Sequence, residues 1–204
     1  MKKVFSLVLS ILLIITIVAC GKKDAEVVSS VAQSDEGVKV NNPKIEISVK
    51  DYGKMQFELE PSMAPITVEN FLKLTNEGFY NGLTFHRIIS GFMIQGGDPL
   101  GTGYGGSDNT IKGEFESNGV HNTIKHNRGV ISMARSMSPD SASSQFFIMH
   151  QDSPHLDGEY AAFGHILSGI EVVDKICSET KVQDGNGSVA KIDQPVIEYI
   201  KVIE

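Results

Sequence analysis

Between Ile45 and Leu59 the chain alternates. Ile45, Ile47 and Val49 are apolar, as are Met55, Phe57 and Leu59, with polar residues between them and KDYGK separating the two runs. A period of two around a glycine-bearing break predicts a β-hairpin. In APITVENFLKLTNEGF the period changes: Val68, Phe71, Leu72 and Thr75 recur at i, i+3, i+4 and i+7. Pro65 near the start and Gly78 past the end complete the signature of an amphipathic helix. Short apolar or alternating runs follow, LTFHRII, GFMIQGG, GVISMA, SQFFIMH and YAAFGHI, set apart by glycine-rich turns. SGIEVVDKICS returns to helical spacing through Ile170, Val173, Ile176 and Cys177, and PVIEYIKVIE closes as a strand. Many short strands and two helices predict a mainly β fold, an antiparallel barrel or sandwich capped by helices.

Two of these strands carry more than packing information. Alternation sends Gln145 and Phe147 to one face of SQFFIMH, and Phe146 and Ile148 to the other. In FMIQ, Met93 and Gln95 share a face, opposite Phe92 and Ile94 if the strand is regular. A core excludes amides, and a solvated face has no use for phenylalanine. A groove that holds a peptide uses both, apolar pockets for side chains and amides for the ligand backbone.

The N-terminus changes the picture of where this domain works. MKKVFSLVLSILLIITIVACGKK sets two lysines before an apolar run from Val4 to Val18 and then Ala19-Cys20-Gly21. The run falls short of the ~20 residues a membrane span takes, and its basic start fits a secretory signal. IVAC resembles the lipobox of bacterial lipoproteins, which implies removal of residues 1–19 and lipidation of Cys20. The expected setting is therefore exported, anchored in the bilayer on the outer face of a bacterial cell membrane. Residues 20–42 are small, polar and charged, and read as a flexible tether. Residues 43–204 then form a single domain with ample length for a core.

The formal charge of −7 becomes −9 once Lys2 and Lys3 leave with the signal. An acidic exported chain lacks the clustered Lys and Arg that phosphate contacts require, so nucleic acid is not an expected partner. Of two cysteines one is the proposed anchor, which leaves Cys177 without a disulfide partner.

Candidate chemistry narrows by exclusion. GTGYGG matches G-x-G-x-x-G, but Asp98-Pro99 precedes it and no helical period follows, so it reads as a flexible glycine loop rather than a dinucleotide site. The six histidines form no H-E-x-x-H; His121/His126 and His150/His155 are five apart, and all six read as structural or surface residues. Ser178 and Lys181 form S-x-x-K without the companion motifs of an acyl-transfer enzyme, and G-x-S-x-G is absent. No metal or cofactor is expected. What remains is Arg87, a guanidinium in the apolar setting FHRIISGFMIQGGD, close to the Met93/Gln95 and Gln145/Phe147 faces.

FHRIISGFMIQGGDP, ISMARS…SSQFFI and LDGEYAAFG are similar to the signature blocks of the cyclophilin family of peptidyl-prolyl isomerases, and the resemblance runs from about Ile45 to Val202. It implies a closed eight-stranded antiparallel barrel capped by two α-helices. It assigns the catalytic role to Arg87 and the proline pocket to Phe92, Met93, Phe147 and Leu156. Gln95 and Gln145 match the glutamines that bind the substrate backbone. Ala134 and Arg135 fall where main-chain groups pair with substrate, and Gly101 where a loop lines the neighbouring subsite. There are departures. Ser90 stands in place of a usual Pro, which predicts a less stiff turn, and Arg135 replaces a common Asn. Tyr160 stands where many members have His. His155 replaces the Trp that helps hold cyclosporin, so cyclosporin should bind weakly. SMSPDSAS is about one residue longer than the usual loop. Expected partners are unfolded or partly folded proline-containing proteins, with the isomerase itself monomeric.

Such a reaction needs no nucleophile. Rotation about X–Pro breaks no covalent bond, and its barrier of about 18–20 kcal/mol is lost amide resonance. The competing reading of the same groove is a non-catalytic peptide-binding module or holdase.

Overall fold

The computed structural model describes residues 42–204. It contains eight strands and two helices: β1 (Lys44–Val49), β2 (Gly53–Leu59), α1 (Pro65–Asn76), β3 (Thr84–Ile89), β4 (Met93–Asp98), β5 (Val130–Met133), β6 (Phe146–Met149), β7 (Ala162–Ser168), α2 (Ile170–Glu179) and β8 (Ile197–Val202). The strands form one antiparallel sheet in the order β3-β4-β6-β5-β7-β2-β1-β8. The two edges meet in a short seam rather than a full ladder. Ile197 donates to the Leu83 carbonyl at 2.8 Å, Gly82 to that of Ile197 at 2.8 Å, and Phe85 to that of Pro195 at 2.9 Å. The barrel of the sequence reading is thus a curled sheet closed at one corner.

The alternating residues behave as the hairpin pattern predicts. Ile45, Ile47, Val49, Met55, Phe57 and Leu59 all point inward and are fully buried. α1 plugs one end with Phe71, which stacks on Tyr80 (centroids 4.9 Å apart) and meets Phe146 edge-on at 5.5 Å. The buried face of this helix is Thr67, Val68, Phe71, Leu74 and Thr75. Leu72, expected on that face, is only half-buried; Leu74 takes its place because the helix sits rotated toward the aromatic cluster. Ala64 offers no side-chain cap to α1. Glu114, from a distant loop, does so instead. Its buried carboxylate accepts from the backbone N–H of Ile66 (3.0 Å) and of Thr67 (2.8 Å), and from the Thr67 hydroxyl (2.7 Å). A negative charge there answers both the free N–H groups and the helix dipole.

α2 lies against β2 and β3. It buries Val172, Val173 and Ile176, with Ile170 and Cys177 packed partly against them. Burial pushes the Cys177 thiol up to about 12, which disfavours the reactive thiolate.

Candidate active site

β4 and β6 pair with Met93 opposite Met149, Ile94 opposite Ile148, and Gln95 opposite Phe147. The pleat therefore splits them as predicted. Ile94, Phe146 and Ile148 enter the main core, while Met93, Phe147 and Met149 join a second apolar cluster with Leu156 on the outside of the barrel. Phe92 departs from the expectation. It belongs to the turn before β4, not to the pleat, and so lies against the second cluster rather than on the Ile94 side. The turn itself is held firmly despite Ser90. Phe92 N–H bonds back to Ile89 O (2.9 Å), and Gly91 N–H donates to His150 Nδ1 (2.8 Å).

The second cluster forms the apolar end of an open cleft of about 720 Å³, whose other walls include Arg87, Gln95 and Gly101–Tyr104. Ala134, Arg135 and Tyr160 also line it. Arg87 projects from β3. Its Nε donates to the Asn186 carbonyl (2.9 Å) and its Nη1 to Gln95 Oε1 (3.2 Å). Gln95 passes the bond on to Gln145 Oε1 (2.9 Å), and Gln145 donates to the carbonyls of Gly103 (3.0 Å) and Gly105 (2.7 Å). Arginine, two amides and the glycine loop thus make one directional chain. Of the five N–H groups of a guanidinium, two are engaged, which leaves three for a bound molecule. Burial pulls the Arg87 group below its ordinary value while Tyr160 and Asp184 pull the other way; a guanidinium stays charged regardless.

The glycine loop is not loose. The Asp98 carboxylate accepts from the backbone N–H of Leu100 (2.8 Å), Thr102 (2.9 Å) and Gly103 (2.6 Å), and these bonds hold its pKa below the usual carboxylate range against the opposing effect of burial. A side chain at Gly105 would place its Cβ 2.0 Å from Asp98 Oδ1, so glycine is required for the loop to close on the carboxylate.

Arg135 lies flat. Its guanidinium covers the Tyr160 ring at 4.7 Å and the Phe115 ring at 4.9 Å, and donates to Glu159 O at 3.0 and 2.9 Å. Tyr160 in turn meets Phe147 edge-on at 5.7 Å. His155 is exposed and stacks on Phe92 at 5.6 Å. Two further histidines bear on the site although the sequence did not single them out. His86 is buried in the wall of the cleft, and neither ring nitrogen has a hydrogen-bond partner among the described residues. His126 is buried behind Phe147. Cys20 lies outside the described residues.

With this geometry in place, the comparisons decide the family. Residues 44–202 match the model for "Cyclophilin type peptidyl-prolyl cis-trans isomerase/CLD". The chain belongs to the cyclophilin family. Among its curated relatives, the peptidyl-prolyl cis-trans isomerase B of Bacillus subtilis is 53% identical over 123 residues, covering 60% of this chain and 82% of the relative. A peptidyl-prolyl cis-trans isomerase of Helicobacter pylori is 52% identical over 126 residues, 61% of this chain and 74% of its own. The solved cyclophilin-type isomerase of Cryptosporidium parvum, determined in the presence of the dipeptide Ala-Pro, superposes with a TM-score of 0.70 at 34% identity, over 79% of this chain and 99% of that one. This cyclophilin is accordingly a peptidyl-prolyl cis-trans isomerase.

Proposed function

We propose that Arg87 is the catalytic donor and that the enzyme turns over X–Pro bonds in exported proteins from a lipid-anchored position. The observation that carries the catalytic reading is a charged guanidinium with uncommitted N–H groups, set beside an apolar pocket and fixed from two sides by Asn186 and Gln95. As the X–Pro amide twists, the proline nitrogen becomes pyramidal and regains a lone pair. A preorganised cation stabilises that nitrogen, or an internal hydrogen bond to it, without moving a proton. One charge-assisted hydrogen bond contributes about 1.5–3 kcal/mol. A rate gain of about 10⁴ corresponds to roughly 5.4 kcal/mol. The remainder comes from Phe92, Met93, Phe147 and Leu156 gripping the ring while Gln95, Gln145 and the backbone at Ala134 and Arg135 hold the flanking chain.

The test is NMR exchange spectroscopy of a short X–Pro peptide with the full chain and its Arg87→Ala form. Arg87→Ala should lose about 100-fold in turnover while still binding the peptide. Retained turnover would remove Arg87 from the mechanism. Turnover should also stay flat from about pH 6 to 9, since no titrating base is needed; a bell with a limb near 6.5 would contradict this.

Support for the exported, anchored setting is the signal-like stretch ending in IVAC and the acidic charge of the remainder. The clients in that setting are unfolded or partly folded proline-containing chains, for which X–Pro rotation is slow enough to limit folding. Labelling with a radioactive fatty acid in a bacterial host should mark the wild-type protein and not Cys20→Ser. Equal labelling of both would refute the anchor.

A further inference from the structure

The turn between β3 and β4 brings Phe92 to the pocket, and it is tied to a polar cluster for which the reaction above has no use. Residues 89–92 form a β-turn closed by the Phe92 N–H on the Ile89 carbonyl at 2.9 Å, with Gly91 at φ +80°. A positive φ at the third position marks type II. In type II the central peptide unit is turned over relative to type I, so its N–H faces the other way. Here that N–H, of Gly91, donates to His150 Nδ1 at 2.8 Å. The His150 side chain, just past β6, is only 13% exposed, and its Nε2 lies 3.2 Å from Oδ1 of Asp174 on α2. A carboxylate only accepts, so Nε2 carries the proton and Nδ1 is left bare to accept from Gly91. Asp174 is held in turn. Arg128 Nη2 donates to its two oxygens at 2.7 and 2.8 Å, and Arg128 Nη1 donates to the His150 carbonyl at 2.6 Å. The guanidinium thus braces one histidine twice, directly at its backbone and through the carboxylate at its ring.

We propose that His150, oriented by Asp174 and Arg128, is a positioning residue that locks the Ser90–Gly91 peptide unit and so keeps Phe92 seated in the proline pocket. Little else holds that unit. Ser90 is exposed, and its N–H has no hydrogen-bond partner among the described residues. Gly91 is exposed too, with open space where a side chain would stand, so packing places no constraint on the corner. Glycine takes either sign of φ, so nothing local prevents the unit from turning over. Both flanks, by contrast, are fixed. Ile89 pairs with Met93, and the Phe92 carbonyl accepts from the N–H groups of His150 (2.9 Å) and Gln151 (3.3 Å). Phe92 follows the corner directly and reaches Met93, Phe147 and Leu156 from the turn, not from the pleat. A turned-over unit therefore re-aims its Cα–Cβ bond.

The inference rests on the reading of Phe92 as a wall of the proline pocket. A turn that flips in the free enzyme binds peptide from one orientation only. Releasing it dilutes the competent state and raises KM, while kcat, set once the peptide is seated, stays nearly the same. In the full chain, His150→Ala should raise KM about fivefold with kcat within about twofold, as for a competent fraction of about one in five. Arg87→Ala does the opposite, since its effect falls on turnover. Adding Ser90→Pro should rescue His150→Ala to within about twofold of the wild-type KM. Proline fixes φ at the second position, and glycine after it favours type II; Ile89, in a strand, is extended as the residue before a proline must be. At about pH 8, above the ordinary histidine range, the ¹⁵N shifts of wild-type His150 should report the proton on Nε2. If His150→Ala does not fold, Asp174→Ala replaces it with the same expectation for KM, since it leaves the ring in place without its orienting acceptor. An unchanged KM in the folded variant overturns the proposal, as does a proton on Nδ1 in the wild type. So does an equal gain from Ser90→Pro with and without His150, which would make the two devices independent. Phe92→Ala is the control: if it leaves turnover and peptide affinity intact, the pocket reading itself fails, whereas an effect there with none in His150→Ala sinks only the positioning role.

Discussion

β6 supplies two adjacent phenylalanines with opposite fates. Phe146 faces the barrel interior, where Phe71, Tyr80 and Phe85 surround it with rings at centroid distances of 5.5–6.0 Å. Phe147 faces outward, toward Met93, Leu156 and the cleft, with a histidine rather than a hydrocarbon behind it. The inner cluster is held by ring packing, and its one polar group, the Tyr80 hydroxyl, donates to the Ser144 carbonyl at 3.3 Å. The outer one opens to the cleft on one side and has the hydrogen-bonded ring of His126 on the other. The contrast separates residues that hold the fold from residues that hold a surface ready.

Substitutions on either side of the strand should separate the two roles. Phe146→Ala should cost about 3–5 kcal/mol of stability, read from urea unfolding, with activity per folded molecule nearly unchanged. A selective loss of activity in a stable Phe146→Ala protein would break the distinction. Phe147→Ala should cost less stability, about 1–2 kcal/mol, because the space it leaves opens to water instead of forming a sealed cavity, but should weaken binding of a proline peptide roughly tenfold. Glu114→Gln belongs to the inner side. It weakens the distant cap of α1 by about 1 kcal/mol, again seen in urea, and should leave turnover untouched.

The smallest effect is the response to acid. Burial holds both His86 and His126 below their ordinary pKa. Each is therefore neutral in the folded state at pH values where the unfolded chain already takes up protons. Stability contributed this way is present above the unfolded value of about 6.5 and is lost as pH falls through the folded values. Urea midpoints should be level above about pH 7 and decline below about 6.5. His86→Met should flatten part of that decline and be neutral or slightly stabilising at pH 7, because it removes two unpartnered buried nitrogens. A steeper acid decline in His86→Met would show that the ring has a partner in solution.

Much of this molecule is legible along the chain because its information is periodic. Alternation from Ile45 to Leu59 is enough for the first hairpin, and 3.6-residue spacing is enough for both helices. The splitting of Gln145 and Phe147 from Phe146 and Ile148 follows from the pleat, and it points to a groove. The signature blocks around Arg87, Gln145 and Leu156 then indicated the family. Sequence periodicity could not assign Phe92 to the pocket, since a turn residue belongs to no pleat. Nor could it see that Asp98 gathers the glycine loop.

What the sequence by itself determined is local: element types, the inward and outward faces of each strand, and the residue types available for chemistry. Only the tertiary structure decided which distant groups meet. Glu114 caps a helix that begins 49 residues earlier at Pro65. Asn186 reaches Arg87 across 99 positions, and Asp157 orients His126 across 31. Side-chain direction within an element repeats with a short period, and so it is written in neighbouring residues. A hydrogen bond between segments depends on how the whole sheet curls, and no local pattern encodes that.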